Sequence, residues 1–137
     1  MTPESPVEYT IDVLVVDDNT GIRKTMRLAL EDAGYTVYES ADGVQALNRL
    51  RAHPHGLVVL LDLNLPKLDG WGVLRAVAAE KPLATRHRFL LLTAKSDTLP
   101  STLTKLLRLL HAPVITKPCS LNRILDAVAG AASAISA

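Results

Sequence analysis

The chain has 137 residues, 48% of them apolar and 21% charged, and its formal net charge is +1. That length fits one folded domain, with no room for a catalytic module beside a separate DNA-binding one, and the near-neutral balance leaves no electrostatic footprint for nucleic acid or an anionic membrane. The single cysteine, Cys119, excludes an internal disulfide and suits a cytoplasmic protein.

Residues 1–10 read as an N-terminal tail. They lack the basic-then-apolar pattern of a signal peptide, and Met1 reads as a natural start. A first apolar, β-branched run, Val13 to Val16, predicts a strand. Ile22, Met26, Ala29, Leu30 and Ala33 then share one helical face that ends near Gly34. Thr36 to Tyr38 predicts a second strand. Val44, Leu47 and Leu50 mark a second helix, opened by Asp42 with Gln45 three residues on, like a capping box. Leu57 to Leu61 predicts a third strand, and Trp71, Leu74, Val77 and Ala78 a third helix. Phe89 to Leu92 predicts a fourth strand, followed by a Leu-rich fourth helical segment from Ser101 to His111. Val114 to Thr116 predicts a fifth strand. Ser120 is the expected N-cap of a last helix carrying Leu121, Ile124, Leu125 and Val128. The domain is expected over 11–130, with 131–137 an Ala-rich C-terminal tail. No unbroken apolar stretch is long enough to span a bilayer.

Strand then helix, five times over, predicts an α/β protein: a doubly wound parallel sheet with helices on both faces. The third and fourth strands are continuously apolar, as strands covered on both faces are. In such sheets ligands bind at the carboxyl ends of the strands. Asp17 and Asp18 follow the first strand, and Asp62 the third. Thr93 follows the fourth, and Lys117 ends the fifth. One edge therefore collects three carboxylates, a hydroxyl and an ammonium. Three carboxylates in one crevice repel, and a divalent cation such as Mg²⁺ (or Mn²⁺) relieves that repulsion through hard oxygen ligands. A hydroxyl and an ammonium beside it suit a phosphoryl group, and a carboxylate can itself become an aspartyl-phosphate. Taken singly, each residue has a plainer reading as a turn, a cap or a solvated strand end. Their convergence on one edge is what points to chemistry.

From Ile11 to Val128 the chain resembles the receiver domains of two-component response regulators, the CheY-like family. The motifs are Val15-Val16-Asp17-Asp18-Asn19, Leu61-Asp62-Leu63-Asn64-Leu65-Pro66 with Asp69-Gly70, Leu92-Thr93-Ala94 and Thr116-Lys117-Pro118. The resemblance implies the strand order 2-1-3-4-5. It implies that Asp62 is the phosphoacceptor, served by a histidine kinase or phosphotransfer protein. It makes Asp18 a direct Mg²⁺ ligand and Asp17 a ligand mainly through water, with Asn64 offering its backbone carbonyl. Thr93 becomes the switch hydroxyl and Lys117 the phosphate-pairing lysine, with a cis peptide before Pro118. It also implies a partner or homodimer face on the fourth helix, fifth strand and fifth helix. Two departures stand out. Val114 occupies the position where the family usually has Tyr or Phe, so the usual aromatic switch cannot operate as such. Leu110-His111-Ala112-Pro113 replaces the familiar Gly-Ala before the fifth strand.

Other residues read more simply. Leu103, Leu106, Leu107, Leu109 and Leu110 are too many for one core stripe, so some are expected at the surface as a docking face. Cys119 and Trp71 read as packing residues, His53 and His55 as solvated loop residues, and Lys95 as a charge at the rim of the site. The expected function is a phosphorylation-controlled interaction switch or phosphorelay intermediate. It is not an enzyme beyond its own phosphorylation and dephosphorylation. The alternatives are a degenerate receiver that binds partners without phosphorylation, and a hydrolase of the aspartyl-phosphate type. The hydrolase is disfavoured because its acid–spacer–acid motif after the first strand is missing. No G-x-G-x-x-G follows the first strand, which sets aside a dinucleotide-binding protein.

Overall fold

The computed structural model describes residues 11–94 and 98–136; the expected N-terminal tail and Lys95 lie outside the described residues. The elements run β1 (Asp12–Val16), α1 (Thr20–Asp32), β2 (Thr36–Ser40), α2 (Gly43–Ala52), β3 (Leu57–Asp62), α3 (Gly70–Ala79), α4 (Lys81–Arg86), β4 (Arg88–Ala94), α5 (Ser101–Leu109), β5 (Val114–Lys117) and α6 (Leu121–Ser136). The five strands form one sheet, all parallel, in the order β2-β1-β3-β4-β5.

Alternation along the strands sorts the core into two layers. Leu14, Val16, Val59, Leu61, Phe89 and Leu91 pack under α2, α3 and α5. Val13, Val15, Val58, Leu60, Leu90 and Leu92 pack under α1 and α6. Each fully buried Leu or Val contributes about 1.5–3 kcal/mol. This burial fixes the strand ends, and hence the site, in register.

The helices start where short polar side chains accept first-turn N–H groups. Asn19 accepts from Ile22 N at 2.9 Å and Asp69 from Gly72 N at 2.8 Å. Ser120 accepts from Arg123 N at 3.1 Å, as its sequence position predicts. Asp42 accepts from Gln45 N at 2.8 Å, while the Gln45 amide oxygen takes the N–H of Ala41, one residue earlier than in a standard capping box.

Four expectations change. The expected C-terminal tail is helical as far as Ser136: alanines favour helix, Ala132 is buried and Ile135 packs on the second layer. A short helix, α4, separates from α3 at Glu80, so the predicted fourth and last helices are α5 and α6. Its six residues bury only Leu83, too little to show a period. Val44, expected on the core face of α2, is 44% exposed, because the buried stripe runs Gly43, Ala46, Leu47, Leu50. His53 is buried rather than solvated, with Nε2 2.9 Å from Asp12 Oδ2 and its ring edge-on to Tyr38. In the Leu-rich helix, Leu103, Leu107 and Leu110 are buried, Leu106 is half-buried and Leu109 is 68% exposed.

α5 ends in a full Schellman turn. Ala112 N–H donates to Leu107 O at 2.8 Å and His111 N–H to Arg108 O at 3.2 Å. His111 holds the left-handed position, at φ 52°, where glycine is the usual residue. At the opposite end of the strands from the acids, buried His87 ties β3 to α2. Its Nδ1 accepts Leu57 N–H at 3.0 Å, so Nε2 carries the proton and donates to Leu50 O at 3.0 Å. Burial pushes the His87 imidazole down to about 4.

Candidate functional site

The acids lie where β1 and β3 end side by side. Asp17 is buried, Asp18 is exposed and Asp62 is 8% exposed. One carboxylate oxygen from each lies within 4.8 Å of the other two. Lys117, arriving on β5, sets its Nζ 3.4 Å from Asp17 Oδ2 and 3.4 Å from Asp62 Oδ2. Thr93 is buried one residue past Leu92, the residue paired with Asp62. Asn64 is exposed, and its backbone N–H reaches Asp62 Oδ1 at 3.3 Å. The Lys117–Pro118 peptide is cis. Val114 is half-buried on β5, opposite Leu91, and packs against the first layer.

Local sequence explains the close fit. At Gly70 a Cβ would meet the Asp62 carbonyl oxygen at 2.5 Å, so only glycine lets α3 start this close to the end of β3. Asp17 is held on every side. Its N–H donates to Ser40 O at 3.2 Å, and its Oδ1 accepts Asn19 N–H at 2.9 Å. Its carbonyl oxygen accepts from Arg23 Nη1 at 2.6 Å.

Burial lifts the Asp62 carboxyl above its ordinary range. The Lys117 ammonium pulls it back, the Asp17 charge raises it again, and the Asn64 N–H and Lys117 hydrogen bonds lower it. The charged form of Asp62 is thus under-compensated. A hard divalent cation is what would compensate such a donor set. Oxygens bound to one Mg²⁺ lie at most roughly 4 Å apart, close to the spacing found here. Asp17, Asp18, Asp62 and the Asn64 carbonyl are the groups that fit it. An apolar groove of about 670 Å³ opens beside the site between α1 and the start of α6. Ile22, Met26, Leu92, Cys119 and Ile124 line it together with Lys117.

All the strand-end residues singled out in the sequence meet at this edge; Pro118 directly follows Lys117, and Val114 lies away from the edge at the start of β5. The reading missed Arg23 and its partner Glu39, whose Oε1 accepts from Arg23 Nε at 3.1 Å. The only signal was a long basic side chain on the second turn of the helix that follows the acids.

The model of the response regulator receiver domain matches residues 13–129. A probable transcriptional regulator ycf27 of Porphyridium aerugineum is 41% identical over 86 residues, which is 62% of this chain and 33% of that protein. A probable chemotaxis protein CheY of Rhizobium etli is 40% identical over 88 residues, 64% of this chain and 67% of that one. The solved CheY-like receiver domain protein of Methanospirillum hungatei matches with a TM-score of 0.75 at 29% identity, covering 88% of this chain and 92% of its own. The chain therefore spans about a third of the length of the ycf27 relative. A parallel sheet of order 2-1-3-4-5, with its acids, threonine and lysine at one edge, and a family match over nearly the whole chain agree: this chain belongs to the response regulator receiver domain family.

Proposed function

We propose that the chain is a Mg²⁺-dependent phosphoacceptor, modified at Asp62 by a histidine kinase or histidine phosphotransfer protein. The observation that carries this is the meeting of three carboxylates within 4.8 Å, with Lys117 shared between two of them beside buried Thr93. In the transfer, the N–P bond of a donor phosphohistidine breaks and an Asp62 Oδ–P bond forms; the imidazole leaves and regains a proton from solvent. Asp17, Asp18, Asp62 and the Asn64 carbonyl would hold Mg²⁺, which would supply neutralisation of the phosphoryl charge. Lys117 pairs with a phosphoryl oxygen, and the Thr93 hydroxyl donates to another. The protein is then the substrate of its own chemistry rather than an enzyme turning over free substrates. The groove beside Lys117 offers a place for the donor.

Its output, on this reading, is an interaction switch or onward phosphotransfer, working through the segment after Thr93 and through α5, β5 and α6. Val114 lacks the reach of an aromatic ring. That favours, as second reading, a receiver whose surface responds only weakly to phosphorylation. Among the described residues no helix is long and apolar enough to cross a membrane. A cytoplasmic site, where histidine kinases act, fits the reading.

Incubation with acetyl phosphate and Mg²⁺, followed by intact mass, tests the chemistry. One added phosphoryl group, dependent on Mg²⁺ and lost in Asp62→Asn, is the expected result. Absence of both that adduct and beryllofluoride binding overturns it. Size-exclusion chromatography of the same samples separates the two readings of the output.

A further inference from the structure

We propose that Arg23, braced by Glu39, is the positioning residue that aims the Asp17–Asp18 turn at the metal. The inference rests on the phosphoacceptor reading above. Arg23 is largely buried, its side chain 14% exposed, although it is a long cation near the start of the first helix. Its guanidinium does three things at once. Nη1 donates to the Asp17 carbonyl at 2.6 Å, Nε to Glu39 Oε1 at 3.1 Å and Nη2 to Thr20 Oγ1 at 3.4 Å. Glu39 belongs to β2, where it pairs in register with Val15 on β1, two residues before Asp17. Its second oxygen accepts from Arg27 Nη1 at 2.8 Å, so the brace cannot swing freely.

The carbonyl that Arg23 holds is half of the peptide joining Asp17 to Asp18. Asp17 has further anchors in Ser40, Asn19 and Lys117. Asp18 is exposed, and its direction follows from the plane of that peptide. Fixing the plane therefore fixes the exposed ligand without touching it. Partners of this kind behind metal ligands typically govern affinity by 10- to 100-fold.

The sign of the effect separates positioning from charge. Arg23 is a cation close to a cation site, so by Coulomb's law alone its removal tightens Mg²⁺ binding. Positioning demands the reverse. Calorimetric titration of the whole chain with Mg²⁺, alongside thermal melting of each variant, reads both. Wild type is expected to bind and Asp18→Asn to lose binding. Arg23→Gln is expected to bind about tenfold more weakly. Arg23→Lys keeps the charge but not the planar fork that reaches three acceptors, and stays severalfold weak. Glu39→Gln, which leaves Arg23 in place with a poorer brace, is also severalfold weaker, but charge alone predicts that sign, so the discriminating variants are Arg23→Gln and Arg23→Lys. Arg51→Gln breaks the Arg51–Glu80 pair at the far end of α2 and controls for general loss of stability; its affinity stays at the wild-type value. Unchanged or tighter binding by folded Arg23→Gln and Arg23→Lys overturns the positioning role while leaving the phosphoacceptor reading intact. Failure of wild type to bind Mg²⁺ overturns both.

Discussion

Asp62 carries its charge at a disadvantage, because burial outweighs the help it gets from Lys117 and the Asn64 N–H. Asp62→Asn removes that charge and should melt at a higher temperature than wild type at pH 7 in EDTA, with the gap narrowing as Mg²⁺ is added. A lower melting temperature in EDTA would mean that the Lys117 contact, not burial, dominates. His87 works in the other direction. Its folded value of about 4 lies below the unfolded value near 6.5, so the unfolded chain binds the proton first as pH falls. Its contribution is complete above about pH 6.5 and declines toward pH 4, by roughly 3 kcal/mol in all. Denaturant melts at pH 7 and pH 4.5 should show this slope in wild type and a flatter one in His87→Gln; equal slopes would remove His87 as the cause. At this scale the sequence was legible where chemistry follows a strand. Asp17, Asp18, Asp62, Thr93 and Lys117 could be placed because a parallel sheet puts strand ends on one edge. Arg23 and Glu39 could not, since their bond spans sixteen positions and depends on the β1–β2 register. His53 was misread for the same reason: its partner, Asp12, is forty-one positions away.

The helices are set by their ends. Four starts carry a capping side chain, at Asn19, Asp42, Asp69 and Ser120, and short-range spacing made two of them visible, Asp42 and Ser120. α5 has no side-chain cap at its start, and its end relies on His111 in the left-handed region. There a β-carbon costs roughly 1 kcal/mol that glycine avoids. His111→Gly should stabilise the chain by about that amount in urea, with the m-value unchanged. A loss of stability would show that the imidazole makes a contact worth more than the strain. The sequence marked the connection from Leu110 to Pro113 as unusual, but not that the turn would close in the ordinary Schellman pattern with an extraordinary residue. Helix α4 was illegible for a different reason. Six residues with one buried leucine show no period, and Glu80 marks the break from α3 only through backbone geometry.

The molecule as a whole is two hydrophobic layers divided by a sheet, and that division was readable. Continuous apolar strands predicted cover on both faces, and the two layers carry it out. The layers share the sheet but not their helices. Leu74→Ala in the first should cost about 2–5 kcal/mol and Ile124→Val in the second about 0.5–1.5 kcal/mol. The double variant should equal their sum within about 0.5 kcal/mol in chemical denaturation. A larger deviation would mean that the sheet transmits repacking from one side to the other. What the sequence left unread is where the helical cover ends. The alanines after Gly130 gave no contrast of polar and apolar faces, yet Ala132 and Ile135 extend the second layer to the last turn.

The order of the strands also divides the site mechanically. β1, β3 and β4, which carry the acids and Thr93, are each laddered to neighbours on both sides. β5, which carries Lys117, is a four-residue strand laddered to β4 alone among the described residues. Displacing a residue on a central strand breaks two sets of hydrogen bonds; displacing one on the border breaks a single set. The crevice is therefore stiff on its anionic side and compliant on its cationic side. On the phosphoacceptor reading, negative charge added at Asp62 would draw the lysine, and with it the border strand that separates α5 from α6.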